Sequence, residues 1–533
     1  MMEKQTPSVW FDAAEALFSS GPGDRLLSSA RKGLPANVFG LPDPAKSFMI
    51  AALSEKENKR ACVLVPDEAR ARALYEELSA LLDPESILTF RGREYSLVHV
   101  QAASRELELE RTAVLFRLLT GDYKVLIVTA QAALQRLRTP DLFQSFEIPL
   151  KTGDEIEPGE LEKKLVLAGY ERISQIEAPG QFARRGDILD IWPPGRREAL
   201  RISFFDILVD ELKSLDPDSQ RSLAAMGSCL IPPARELPLL EHEWAKTAGK
   251  VRELCEDYYL QAARAGLKPE EMERLRQGGN RDIERLAQSL YFPSLERWLP
   301  VFEASKATVL DYLAGGKALF FVDELLTFSR RLDGARAGFV SRLSAFVEKG
   351  EAFPLAGELE LEPADIMRTI DRASSFIALA DLPSSGNGLP GDLDLTFRAR
   401  SSDSFKNKPD RLAEELLRIR QTRGTALLFA GSSERAEQLS LFLAERNLYS
   451  VAALPHNLPR GFFFPEEQVL VAGVHDLFGV SRTRRKGRRR QGREVFFRGL
   501  TPGSLVVHED YGIGEFRGTE TIATSDGERD YLT

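Results

Sequence analysis

Gly40-Leu41-Pro42-Asp43-Pro44-Ala45-Lys46-Ser47 is the segment of this chain that comes closest to a motif with chemistry of its own. A glycine followed by a Lys-Ser pair at the mouth of a helix is how backbone N–H groups and a lysine amine cradle phosphate oxygens. The cradle needs consecutive N–H donors and a glycine directly before the lysine, so that the chain can wrap closely. Here Ala45 precedes Lys46, and Pro42 and Pro44 have no N–H and fix their own φ. The segment reads as the remnant of a phosphate loop, with Gly40, Ala45, Lys46 and Ser47 marking where it stood. Asp323-Glu324, at the end of an apolar run, is the natural counterpart, since a carboxylate there holds Mg2+ beside such a loop. With the loop defective, the plainer expectation is a strand end dipping into solvent. If the two segments meet, they form a relic.

Two further stretches carry clustered charge. Gln181-Phe182-Ala183-Arg184-Arg185-Gly186 leads into Asp187–Trp192, where polar and apolar residues roughly alternate as in a strand with one face more buried. Arg196, Arg197 and Arg201 follow closely. This is either a solvated basic hairpin or an arginine-rich surface for a protein partner. Between Arg482 and Arg493, eight of twelve residues are Lys or Arg and none is apolar. That composition makes a linker, with contact to a polyanion as the other reading. The run contains no aromatic residue on which a base could stack.

Leu500–Phe516 holds a Pro502-Gly503 turn, a strand at Leu505–Val507, and Gly512 and Gly514 for unusual backbone angles. His508 has no second histidine, cysteine or nucleophile beside it, so a structural role is expected. The other histidines (His99, His242, His456, His475) are scattered, and Cys62, Cys229 and Cys255 lie far apart. The sequence therefore offers no catalytic set and no metal site. It has no disulfide framework either, which fits a reducing cytoplasm.

These motifs need elements to hold them. At 533 residues, with 43% hydrophobic and 28% charged residues, the chain has the composition of several globular domains. No apolar run is long enough to span a membrane, and the N-terminus has no secretory core. A net charge of −9 speaks against a protein coated in nucleic acid. Strands at 36–40, 61–66, 87–90 and 123–128 alternate with helices, which implies a parallel α/β sheet. From 146 to 238, short β-type runs surround one helix near 161–167. Residues 244–290 are helical, 318–322 is another strand, and a further α/β unit begins near 405.

Taken in order, the motifs resemble one family. Val507-His508-Glu509-Asp510-Tyr511-Gly512-Ile513-Gly514 resembles the start of the RNA-polymerase-interacting domain of the bacterial transcription-repair coupling factors, shared with the CarD regulators. Phe182–Pro194, with Arg201-Ile202-Ser203-Phe204-Phe205 and Ser219-Gln220-Arg221-Ser222, is similar to domain 2 of the excision-repair protein UvrB and its copy in the coupling factors. The degenerate Gly40–Ser47 loop separates the coupling factors' UvrB-like module from UvrB, whose loop is intact.

The resemblance implies an α/β multidomain chain. Domain 1a covers 1–143, an inserted α+β domain 2 covers 144–238, and domain 1b covers 239–398. A small α/β domain 3 (399–480), a basic linker (481–498) and the start of a polymerase-binding barrel (499–533) follow. It also implies partners: UvrA, with Arg172, Phe182, Arg184 and Arg185 as candidate contacts, and the RNA polymerase β subunit, through the motif of His508, Gly512, Ile513 and Gly514. Family members release stalled polymerase by ATP-driven translocation on double-stranded DNA. ATP and Mg2+ serve that motor, which is expected outside these residues, so no cofactor is expected here. The stop at Thr533, inside the barrel, reads as a truncation. The rivals are a UvrB-type nucleotide-dependent helicase, which needs an intact loop, and a CarD-type regulator, which would not carry so long a preceding chain.

Overall fold

The computed structural model describes residues 10–19, 21–98, 104–313, 318–372, 376–383, 393–448 and 451–479, together with the backbone of four strands between 505 and 532. Two compact units are present, 1–479 and 480–533, and each is described by itself.

The expected strands form one seven-stranded sheet. Its order is Asp394–Thr396, Ala36–Phe39, Phe376–Leu379, Leu319–Asp323, Ala61–Val65, Val125–Thr129, Ile87–Phe90. Every neighbouring pair is parallel. Such a sheet must be covered on both faces, and the alternation of its side chains shows how. Val63 and Val65 enter one core with Phe48, Leu53 and Leu74, while Cys62 and Leu64 enter another with Leu115, Leu118 and Phe328. The first strand ends at Gly40, where φ is +80° and a Cβ would lie 1.8 Å from the Phe397 carbonyl oxygen. Only glycine fits there, because the strand Asp394–Thr396 runs directly alongside.

Residues 148–231 form the insert. A six-stranded sheet runs Arg221–Met226, Leu208–Asp216, Ala199–Phe205, Ile188–Trp192, Gln181–Arg185, Glu171–Arg172. Helix Pro158–Leu167 lays Leu161 and Leu165 on one face, against Phe182, Leu189, Ile191, Leu200 and Ile202. The opposite face has only a small cluster of Ile176, Ala183, Ala199 and Leu215. Beyond the insert, the helices Glu241–Arg264 and Pro269–Ala287 make an antiparallel pair with a separate core around Trp244, Trp298 and Phe353.

The third sheet is ordered Arg400–Ser401, Phe462–Phe464, Val469–Ala472, Thr425–Phe429, Ala452–Leu454. It has no core apart from the first on its inner side. Phe462, Phe464 and Val471 share one cluster with Trp10, Phe48 and Val38, and the Phe48 and Phe462 rings lie 5.3 Å apart.

Ion pairs sealed from water tie the insert to the large sheet. Arg111 donates to both carboxylate oxygens of Glu236, at 2.9 and 2.5 Å, and its guanidinium lies 4.0 Å from the Phe90 ring centre. Arg93 joins the same carboxylate and also pairs with Glu296. Burial alone would push the Glu236 carboxyl up, but the Arg111 and Arg93 guanidiniums outweigh it and hold the group below the usual carboxylate range. Arg138 grips Glu243 through both oxygens at 2.8 and 2.7 Å, which fixes the start of the long helix.

Two stability outcomes are expected. Glu236→Gln strips Arg111 of its charge partner in a buried site and should cost about 3–5 kcal/mol in chemical denaturation, whereas Arg111→Leu with Glu236→Leu should recover much of it. Glu360 is buried with one carboxylate oxygen lacking a hydrogen bond, and burial, opposed by Arg336 and Arg342, pushes its carboxyl up to about 7. A carboxyl raised on folding binds a proton that the unfolded chain releases, so its contribution falls as pH climbs from the unfolded value through 7. Glu360→Gln should therefore stabilise the chain by roughly 2 kcal/mol at pH 8 and change little at pH 5.

Candidate functional site

The degenerate loop and Asp323-Glu324 do meet. Lys46 stands on the first turns of helix Asp43–Lys56, and its side chain is buried. Its ammonium donates to Asp323 Oδ1 at 2.8 Å, Glu324 Oε1 at 2.7 Å and Asp43 Oδ1 at 3.1 Å. Arg70, on helix Glu68–Leu78, donates through Nε to the other Asp323 oxygen and through a terminal nitrogen to Glu77 Oε2 at 3.0 Å. The Ser47 hydroxyl donates to that same Glu77 oxygen.

Asp323 is 1% exposed, so the expectation of a strand end dipping into solvent is corrected. A carboxylate this deep persists only with counter-charge, and it has two cations. Burial alone would raise the Asp323 carboxyl, but Arg70 and Lys46 hold it below the ordinary aspartate value. The same pairing, against the opposing effect of burial, keeps the Lys46 amine above the ordinary lysine value. Glu324 follows with φ at +52° and accepts from the Asp381 N–H at 2.8 Å, which links the cluster to the next strand's end.

The arginines expected on one surface of the insert lie on two. Successive residues of a strand point to opposite faces, so Arg184 and Arg185 cannot share one. Arg184 and Arg172 both pair with Glu162 on the helix side, at 2.9 and 3.1 Å. Phe182 is 0% exposed in the core beneath that helix, so it supports the sheet and presents nothing to a partner. Arg185 faces the open side, where its guanidinium donates to the Ser174 carbonyl and to Gln175 Oε1.

On that open side the register sets Arg185 and Arg201 beside two residues not expected as contacts, Ile188 and Phe205. Arg185 pairs with Ile188, Ile188 with Ser203, and Asp190 with Arg201. Phe205, two positions beyond Ser203, therefore stands on the same face, and it is 76% exposed while Phe204 is buried in the core. Ile188 is also exposed. Arg201 is held bidentate by buried Asp190, at 2.7 and 2.8 Å, and also donates to the Gln220 carbonyl. The signal was in the sequence: of two adjacent phenylalanines in a strand over a one-sided core, one must point out.

In the second unit, the backbone of Leu505–His508 pairs antiparallel with Gly512–Glu515, setting His508 opposite Gly512, Val507 opposite Ile513 and Val506 opposite Gly514. Thr519–Thr524 and Gly527–Leu532 form a second antiparallel ribbon. The basic run 482–493 and His99 lie outside the described residues. Among the described residues, no group of His, Cys, Asp and Glu is arranged to hold a metal ion.

Residues 148–237 match the family described as UvrB interaction domain, and residues 500–533 match the CarD-like/TRCF RID domain. The transcription-repair-coupling factor of Bacillus subtilis strain 168 is 27% identical over 532 residues, 95% of this chain. The chain is thus similar to transcription-repair coupling factors along nearly all of its length. That of Staphylococcus aureus strain bovine RF122 / ET3-1 is 23% identical over 521 residues, covering 93% of this chain. The chain spans 44% and 43% of the lengths of these two coupling factors. UvrABC system protein B of Thermotoga neapolitana is 24% identical over 463 residues, 80% of this chain and 68% of that protein. The open face of Arg185, Ile188, Arg201 and Phe205 lies inside residues 148–237.

Lys46→Ala would leave Asp323 and Glu324 with less counter-charge in a buried site. The expected loss is about 3–5 kcal/mol of stability, read from the denaturation midpoint. A change inside about 0.5 kcal/mol, as for an ordinary surface substitution, would show that the cluster does not hold the loop.

Proposed function

We propose that this chain serves transcription-coupled DNA repair as a docking segment, binding UvrA through the open sheet face of the insert and contributing to RNA polymerase β-subunit binding through residues 500–533. The observation that carries the first half is the exposure of Phe205, 76%, beside Ile188, Arg185 and Arg201 on a face with little core of its own. An exposed aromatic flanked by guanidiniums is the composition of an interface centre, where the ring fills a pocket and the charges set register. The Asp190 carboxylate holds the Arg201 guanidinium before any partner arrives, which reduces the ordering cost of binding. The match of 148–237 to the UvrB interaction domain supports the partner's class, and the match of 500–533 to the CarD-like/TRCF RID domain supports the second half.

In this reading, ATP and Mg2+ chemistry and movement on double-stranded DNA are not functions of these 533 residues. The chain works in the cytoplasm. Among the described residues no helix is long and apolar enough to cross a membrane.

Titration of purified UvrA against single variants is the test. Phe205→Ala and Arg185→Ala should each weaken binding about tenfold or more, close to 2 kcal/mol for an interface centre. Arg172→Ala and Arg184→Ala, on the helix side, should bind like the parent. The reverse pattern, with the helix-side variants impaired and Phe205→Ala unaffected, would move the docking face to the other side of the sheet.

A further inference from the structure

The family likeness to UvrABC system protein B raises the question of a nucleotide and its metal at the Gly40–Ser47 loop. In a working loop the lysine donates to phosphate oxygens, and the Ser hydroxyl and a strand-end aspartate hold the metal. The residues of this chain do not fit that group. An ammonium has three N–H donors, and those of Lys46 face three carboxylates, Asp43, Asp323 and Glu324. The Ser47 hydroxyl is spent on Glu77, and Asp323 already holds two cations. Pro42 and Pro44 supply no N–H, and Ala45 is buried where the loop would need room.

What stands there instead is Arg70. Its guanidinium reaches both would-be metal ligands, Asp323 directly and Ser47 through the shared Glu77 oxygen. We infer that Arg70 is a built-in cation standing in for the metal, which latches the loop, the central strand end and helix Glu68–Leu78 together with no ligand bound. A metal's charge would come and go with nucleotide, whereas a covalently tethered guanidinium cannot leave and cannot be deprotonated.

The latch extends outward. Helix Asp43–Lys56, which carries Lys46 and Ser47, also carries Phe48, and Phe48 packs on Phe462 of the five-stranded sheet. Glu324 ties the cluster to the Asp381 backbone. The segments that would separate in a nucleotide-driven cycle are therefore held by internal charge on one side and by an aromatic core on the other.

Thermal unfolding of the whole chain tests this, with Mn2+ alone and with ADP and Mg2+ as probes. The parent midpoint should not move with either probe. Arg70→Ala should lower the midpoint by several degrees, and millimolar Mn2+ should restore part of the loss, because Asp323 then keeps only Lys46 and Glu77 loses its cation. Arg70→Lys keeps a charge and should retain most of the midpoint without metal. The inference is overturned by an Arg70→Ala midpoint equal to the parent's, or by a loss that Mn2+ does not relieve. A saturable shift of the parent by ADP and Mg2+ overturns it too. If Arg70→Ala does not fold, Arg70→Lys decides: a midpoint close to the parent's supports the charge role, and a large loss sinks it.

Discussion

A carboxylate buried at the end of a central strand cannot be left alone, and the arrangement around Asp323 follows from that constraint. Taking a charge out of water costs several kcal/mol unless counter-charge and hydrogen bonds meet it. Lys46 meets it from the helix after the first strand, and Arg70 from the helix after the second. Because those helices follow strands on either side of the Asp323 strand in one parallel sheet, neutralising a single aspartate also fixes the packing of that end of the sheet. The proline-containing loop is tolerated there because its lost N–H groups are not asked to bind anything.

The same logic recurs where the insert joins. A domain inserted into a sheet through two chain crossings would swing if only loops joined it. Here Arg111, Arg93 and Glu296 form an ionic knot around Glu236 on the segment that leaves it, and Gly195 lets the insert's Pro-Gly turn approach Ala113 on the sheet's covering helix. The knot leaves the far side of the insert's sheet uncovered and holds it in a defined place. Rigid support behind an exposed aromatic is what a docking surface needs, since a partner then spends little free energy ordering it.

That surface also explains why adjacent arginines have different work. Arg184 is drawn to Glu162 with Arg172, where both cover the insert's helix, whereas Arg185 stands one residue on and faces outward with Phe205. A single-residue shift in strand register would exchange the two roles and bury the wrong phenylalanine.

Much of this architecture was legible in the residues. The apolar runs at 61–66, 123–128 and 318–322, separated by helical stretches, determined a parallel α/β sheet, because a strand buried on both faces reads as continuous hydrophobicity. Ala45, Pro42 and Pro44 determined that the loop lacks the donors of a phosphate cradle, since that deficit is covalent. Local residues could not say which distant groups would fill the space. Arg70 was an ordinary charge on a helix until the sheet order set that helix beside the Asp323 strand. Phe182 looked like surface because aromatic residues among arginines often are, whereas Arg172 and Arg184 are exposed but stand on the helix side. Only the packing of helix Pro158–Leu167 decided which face of the sheet was core, and hence that Phe205 and Arg185 face the solvent: alternation along a strand fixes which residues share a face, but the tertiary contact chooses the face.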